Sequence, residues 1–107
     1  MLSSRPKNDK RYIWTNHSGI KMAQYGISPS FVKRIMRFPE RTEEGIAENT
    51  VAVMKPTVSK KQEVWVMYQL YGKRIKIITA WKYPGKSSER DPIPDEIKKE
   101  IRDILSL

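Results

Sequence analysis

The chain has 107 residues, of which 38% are apolar and 31% charged, and its formal net charge is +9. A chain of this length fits one domain, which buries roughly two thirds of the surface that its unfolded state exposes. It contains no cysteine and one histidine, which excludes disulfides and thiolate metal sites and argues against a zinc cluster. No segment has the apolar run of a signal peptide or a membrane span, so we expect a cytoplasmic protein without a metal or cofactor.

The positive charge is distributed unevenly along the chain. Residues 1–41 contain nine basic and two acidic side chains, and residues 55–86 contain eight and one. Residues 42–54 contain three acids and no base, and residues 87–107 contain more acids than bases. A cationic body attracts polyanions, and nucleic acid is the commonest of these in a cytoplasm, although solubility explains the same excess.

The N-terminal part predicts an arm, a strand and a helix. Residues 1–10 are polar and predict a flexible basic arm. Tyr12-Ile13-Trp14-Thr15 has the composition of a strand. A helix is predicted from His17 to Tyr25, with Asn16 as its N-cap and Gly26 as the left-handed residue that ends it.

The clearest predicted element is a second helix, which begins after Ser28 and ends before Pro39. Ser28 is a favourable N-cap, and Pro29 occupies the first helical position, where its missing N–H costs nothing. The 3.6-residue spacing predicts an apolar stripe on one side of this helix and basic residues on the other. The basic residues that are predicted to face water are Lys33, Arg34 and Arg37.

Three strands are predicted in the middle of the chain. Thr50 to Thr57 is the first, and Glu63 to Leu70 and Arg74 to Tyr83 form a hairpin around Tyr71-Gly72-Lys73. The alternation in the last strand predicts a sheet with one face covered by helices and a partly cationic opposite face.

A final helix is predicted to begin at Pro94, with Asp95 and Glu96 in its first turn, where negative charge is favourable. Together the elements predict an α+β fold for residues 11–107. It consists of two short N-terminal helices packed on a small antiparallel sheet, with a C-terminal helix.

The strand Ile75-Lys76-Ile77-Ile78-Thr79-Ala80-Trp81 carries a likeness to a known family. Together with the two preceding helices, it resembles the toxin domains of the RelE/ParE superfamily, closest to the BrnT-like branch. In that branch a run similar to Ile-Arg-Ile-Ile-Ser-Ala-Arg fills this strand, so Trp81 replaces an arginine. His17 with Lys21-Met22 is similar instead to a related group of uncharacterised toxin-like domains.

The resemblance implies ribonuclease action, on ribosomes or on free RNA, or gyrase poisoning, restrained by a partner antitoxin. Metal-independent RNA cleavage needs a base for the 2′-OH proton, cations for the developing charge and an acid for the leaving oxygen. The candidate catalytic residues are His17, Arg41, Lys82 and Tyr83. The candidate nucleic-acid-binding residues are Lys33, Arg34, Arg37, Arg74, Lys76 and Trp81.

Two interpretations follow from these residues. The first is a toxin-like RNA-interacting domain, with the activity of an endoribonuclease of a toxin–antitoxin pair left open. The second is a non-catalytic module that uses the same basic face for nucleic acid or for an acidic partner protein. Structural roles compete at individual positions, because His17 is also suited to a helix start and Trp81 to a core. The sequence predicts neither the RNA substrate nor the oligomeric state.

Overall fold

A computed structural model describes residues 6–87 and 93–105, and in them three helices and one five-stranded sheet. The predicted α+β class, with two helices before the central strands and one after them, is confirmed. The elements are β1 (Tyr12–Trp14), α1 (Asn16–Tyr25), α2 (Pro29–Arg37), β2 (Arg41–Glu44), β3 (Thr50–Pro56), β4 (Gln62–Tyr71), β5 (Arg74–Pro84) and α3 (Asp95–Leu105).

The sheet is mixed rather than antiparallel, with the strand order β1-β5-β4-β3-β2. Strands β2 to β5 form an antiparallel meander. Strand β1 enters at the far edge and runs parallel to β5, with Tyr12 beside Ile75 and Trp14 beside Ile77. Because α1 and α2 separate β1 from the meander along the chain, β1 has no hairpin partner and pairs with the last strand instead.

The ends of the two N-terminal helices are fixed by local hydrogen bonds. The N-cap of α1 is Thr15, one residue before the predicted Asn16, and its side chain accepts from the Ser18 N–H at 3.1 Å. Thr15 also donates to the Ile77 carbonyl at 2.9 Å, which ties the helix start to β5. The predicted cap of α2 is confirmed, since Ser28 accepts from the Phe31 N–H at 3.1 Å.

Helices α1 and α2 cover one face of the sheet. Val32 and Ile35 of α2 are fully buried, and they belong to a cluster with Met22 of α1 and with alternate residues of the strands. The strand residues of this cluster are Tyr12, Trp14, Val53, Val64, Val66, Ile77 and Ala80.

Helix α3 covers the opposite face, which the sequence predicted to be partly cationic. Trp65 and Trp81 are cross-strand partners there, with parallel rings whose centroids are 5.9 Å apart. Both are fully buried, and Ile97 and Ile101 of α3 belong to the same cluster. Where the sequence predicted a partly cationic face, its centre is instead apolar, because two tryptophans on neighbouring strands form a surface that an amphipathic helix covers.

Part of the predicted arm lies against β1. Residues 1–5 lie outside the described residues. Asn8 accepts a hydrogen bond from the Trp14 N–H at 2.7 Å, and the Asp9 carbonyl accepts one from Arg74 at 2.9 Å. Among the helices described here, none is long and apolar enough to cross a membrane.

Candidate nucleic-acid interface

The β4–β5 hairpin presents an exposed aromatic ring at one end of the sheet. Gly72 has a φ of 63°, the left-handed conformation that a tight two-residue turn needs. Tyr71 precedes this turn and is 59% exposed. The Lys76 ammonium lies 5.5 Å from the centroid of the Tyr71 ring. A cation and an exposed aromatic ring therefore lie side by side next to the turn.

Further cations reach the same end of the sheet from other elements. Arg74, next to the turn, donates to the carbonyl of Asp9, which precedes β1. Lys33 of α2 lies with its ammonium 5.4 Å from the Tyr12 ring of β1. Since Lys33 lies on the α2 side of the sheet and Lys76 on the α3 side, the cations wrap around this end.

One carboxylate, that of Asp9, lies near these cations. The side chain of Asp9 accepts hydrogen bonds from the backbone N–H groups of Tyr12 and Arg11 at 2.7 and 2.8 Å. These bonds lower the pKa of Asp9, and the positive charges of Lys33 and Arg74 lower it further. Asp9 therefore stays ionised near neutral pH, and its backbone carbonyl is the atom that Arg74 contacts.

Positive charge dominates this region. Among residues 6–87 and 93–105, no salt bridge involves any of its lysines or arginines. Most of their charge is therefore available to an incoming anion. We define the hairpin-end surface as Arg11, Lys33, Tyr71, Lys73, Arg74 and Lys76.

Three of the predicted nucleic-acid-binding residues, Lys33, Arg74 and Lys76, belong to the hairpin-end surface. Arg34 and Arg37 are exposed on the last turns of α2, and Arg37 lies one helical turn beyond Lys33. Trp81 does not fit the prediction, because it is fully buried between the sheet and α3 and has no face open to a base.

Arg41, a predicted catalytic residue, is held by its own neighbours. Its guanidinium donates to the Ser87 hydroxyl and carbonyl at 2.8 and 3.1 Å and to the Glu43 carboxylate at 3.1 Å. It also lies 3.6 Å from the carboxylate of Glu63 and 5.0 Å from the ring centroid of Trp65. Because the N–H groups of Arg41 point at acceptors of the protein itself, its role in this arrangement is structural.

Glu63 is the buried centre of this network, with 5% of its surface exposed. One carboxylate oxygen accepts from the Trp65 indole at 3.0 Å and from the Ser87 N–H and hydroxyl at 3.2 and 2.5 Å. These donors and Arg41 compensate a charge that would otherwise be costly to bury. The network joins β2, β4 and the segment that follows β5.

The other predicted catalytic residues are not brought together. Lys82 lies on the α1–α2 face, where it lines a small pocket with Ser28 and Val64. Tyr83 points to the opposite face and packs against the apolar cluster under α3. Neighbouring residues of one strand point to opposite sides, so Lys82 and Tyr83 do not act on one reacting group in this arrangement.

His17 contacts α3. Its Nε2 atom lies 3.3 Å from the carboxylate of Glu100, and the same carboxylate lies 3.1 Å from the ammonium of Lys21, which is almost fully buried. Burial lowers the pKa of His17, and the charge of Lys21 lowers it further, while Glu100 opposes both effects. His17 is therefore mostly neutral near pH 7.

Several residues of the hairpin-end surface were not predicted from the sequence. Tyr71 and Lys73 were recognised only as parts of a turn, and Arg11 was assigned to no site, nor was Asp9, which lies beside this surface. An aromatic residue directly before a turn glycine and between basic residues is a local signal that would have identified Tyr71. The position of Asp9 depends on the parallel pairing of β1 with β5, which no local pattern indicates.

No model of a protein family matches the chain, and no curated protein matches it either. Within residues 6–87 and 93–105, no group of three or more acidic or histidine side chains could hold a metal ion.

Proposed function

We propose that this protein is a single-stranded RNA-binding domain that uses the hairpin-end surface. The observation that carries the proposal is the exposed Tyr71 ring, with Lys76 against it and Lys73 and Arg74 beside it. Proteins that bind single strands combine aromatic rings, on which bases stack, with cations that follow the phosphate backbone. Both parts are present within one hairpin.

A single strand suits this surface better than a duplex. Base faces are covered in a double helix and become available to aromatic side chains in loops, bulges and free ends. Tyr71 lies at the tip of a hairpin, where an unpaired base can approach the ring while its phosphates meet lysine and arginine. A duplex would use the cations and leave the ring without a partner.

The likeness to RelE/ParE toxins supports the choice of RNA over other polyanions. That likeness depends on the strand from Ile75 to Trp81 and on the two predicted helices ahead of it. On this proposal the protein acts in the cytoplasm, on ribosomal or free RNA, and an antitoxin restrains it. A small neighbouring gene that encodes an acidic or DNA-binding protein is the expected genetic context.

The proposal is tested by the salt dependence of binding to a short labelled oligouridylate, measured by fluorescence anisotropy. Each phosphate neutralised on a single strand contributes about 0.7 to the slope of log K against log salt. The variant K73A/K76A removes two cations, so its slope is expected to be smaller by about 1.4.

A matched control removes two exposed charges from helix α3, outside the hairpin-end surface. The variant K99A/R102A changes α3 and is expected to keep the wild-type slope. Equal slopes in the wild type and in K73A/K76A would show that RNA does not use the hairpin end.

Endoribonuclease action is the second candidate, and the pairing of His17 with Glu100 favours it. Because Nε2 of His17 is buried against Glu100, Nδ1 is the nitrogen that is left to accept a proton from a 2′-OH group. The variant H17Q is expected to keep RNA affinity and to lower cleavage about 100-fold or more. Wild-type protein that binds RNA and leaves it whole, with or without ribosomes, would exclude this second candidate.

A further inference from the structure

A groove lies at the end of the sheet opposite the hairpin-end surface. Its volume is about 750 Å³. Its walls come from the turn between β3 and β4 and from the segment that follows β5, and both walls carry lysines. The lysines that line it are Lys60, Lys61 and Lys86.

Backbone hydrogen bonds hold the two walls together. The Gly85 N–H donates to the Lys61 carbonyl at 3.0 Å and so joins the walls, and the Thr57 N–H donates to the Gln62 carbonyl at 2.9 Å and closes the turn of one wall. Lys60 has a φ of 60°, a conformation that few residues other than glycine adopt. The tight turn therefore fixes the backbone from which Lys60 and Lys61 extend.

The rim of the groove is cationic, and its interior is partly apolar. Within residues 6–87 and 93–105, no salt bridge involves Lys60, Lys61 or Lys86. Inside the groove, Pro56 and the exposed edge of the largely buried Met54 supply apolar surface, beside Arg41 and Glu63 of the network described above. The exposed carboxylate of Glu40 also lines the groove.

We propose that this groove binds a nucleoside phosphate. The lysines match a phosphate group, and the apolar surface of Met54 and Pro56 matches the face of a base. Glu40 is an acceptor of the kind that binds ribose hydroxyl groups. The volume falls in the range of roughly 300–1,000 Å³ in which small ligands bind. A chain of phosphates alone would need neither the apolar surface nor the carboxylate.

The site is separate from the hairpin-end surface, so the inference does not depend on the proposed RNA-binding function. The two regions lie at opposite ends of β4, which runs from Gln62 to Tyr71. Ten residues of strand correspond to about 30 Å at roughly 3.3 Å per residue. Variants at one end therefore leave the other end in place.

The test is calorimetric titration of the full chain with adenosine monophosphate (AMP), adenosine and inorganic phosphate. AMP is expected to bind at least about tenfold more tightly than adenosine or phosphate, because each of them offers only part of the ligand. The variant with Lys60→Asn and Lys86→Ala is expected to lose roughly tenfold or more in AMP affinity. Asparagine replaces Lys60 because it tolerates a positive φ, and unchanged melting would show that the fold is kept.

The control K99A/R102A is expected to bind AMP as the wild type does. Inorganic phosphate that binds as tightly as AMP would overturn the nucleoside part of the proposal, and adenosine that does so would overturn the phosphate part. Undiminished AMP affinity in the groove variant, or no AMP binding by the wild type, would overturn the site.

The same ligand chemistry can come from a free nucleotide or from a nucleotide of RNA. Competition between AMP and an oligouridylate distinguishes these sources. If RNA displaces AMP both from the wild-type protein and from the K73A/K76A variant, the groove binds a nucleotide of RNA. AMP binding that RNA does not displace would assign it to a free nucleotide, and either result supports the site.

Discussion

Arg41 and Arg74 begin strands at opposite regions of the sheet, and they meet very different surroundings. Arg41 contacts two carboxylates, a hydroxyl and the face of a tryptophan. Arg74 donates to one backbone carbonyl and has no salt bridge within the described residues. The sequence marked both as candidates for a functional site. An arginine whose N–H groups are bonded to several neighbouring side chains therefore has a structural role, whereas an arginine with a single backbone partner keeps donors for a ligand.

The largest expected effect is a difference in the free energy of unfolding between variants of the two arginines. The variant R41A leaves the buried carboxylate of Glu63 without its cation, and loss of one partner of a buried pair costs about 3 kcal/mol. The lower end of the usual range applies because the Arg41 side chain is 17% exposed. Urea unfolding measures the loss, and RNA affinity at temperatures where the variant is folded is expected to stay near that of the wild type.

The matched variant R74A is expected to lose only about 1 kcal/mol of stability, the contribution of one hydrogen bond. Its RNA affinity should fall and its salt slope should be smaller by about 0.7. If R74A unfolded as readily as R41A, or if R41A weakened RNA binding more than R74A, the distinction between the two arginines would be wrong.

The next effect concerns the aromatic part of the hairpin-end surface. The variant Y71A is expected to weaken oligouridylate binding by about 1–3 kcal/mol, because one base loses its stacking partner. Y71F keeps the ring and is expected to bind as the wild type does. Anisotropy titrations measure both, and melting curves serve as the control, since Tyr71 is largely exposed. Equal weakening by Y71A and Y71F would assign the effect to the hydroxyl group instead.

A smaller effect tests how far the surface extends along α2. Arg34 and Arg37 are exposed on this helix, and R34A/R37A is expected to flatten the salt slope without unfolding the domain. Helical melting followed by circular dichroism controls for the fold. An unchanged slope would restrict the interface to the hairpin, the segment before β1 and Lys33.

The smallest expected effect is a pH dependence of stability that originates at His17. Burial lowers the pKa of His17 in the folded protein, so the unfolded chain binds the proton more tightly. The stabilising contribution is therefore complete above the ordinary pKa of about 6.5 and is lost as the pH falls through the lowered folded value. H17Q is expected to flatten the stability profile in that acidic window. Identical profiles for H17Q and the wild type would remove His17 as the source.

Local signals predicted the helices well because capping and apolar periodicity act over a few residues. Ser28 is the N-cap of α2 and Gly26 is the left-handed C-cap of α1, as the sequence predicted. Strand β2 was missed because its four residues are all polar, and edge pairing with β3 alone makes it a strand.

Long-range features of the site could not be predicted in this way. The sequence around Trp81 does not indicate whether its face of the strand is exposed or covered, and the packing of α3 is what buries this side chain. Arg41 was a reasonable candidate for a phosphate contact until its neighbours Glu63 and Ser87 were located, since both lie many residues away along the chain. The cations around Tyr71 were identifiable by type, whereas their convergence depends on the pairing of β1 with β5.

The parallel pairing of β1 with β5 has a consequence for how the protein folds. Thr15, which follows β1, is hydrogen-bonded to Ile77, 62 residues further along the chain. During synthesis, β1 must therefore wait until most of the chain has emerged before it acquires a neighbour in the sheet. Closing so large a loop slows folding relative to the local hairpin of β4 and β5. The hairpin that carries Tyr71 is expected to form first, and the N-terminal strand to dock last.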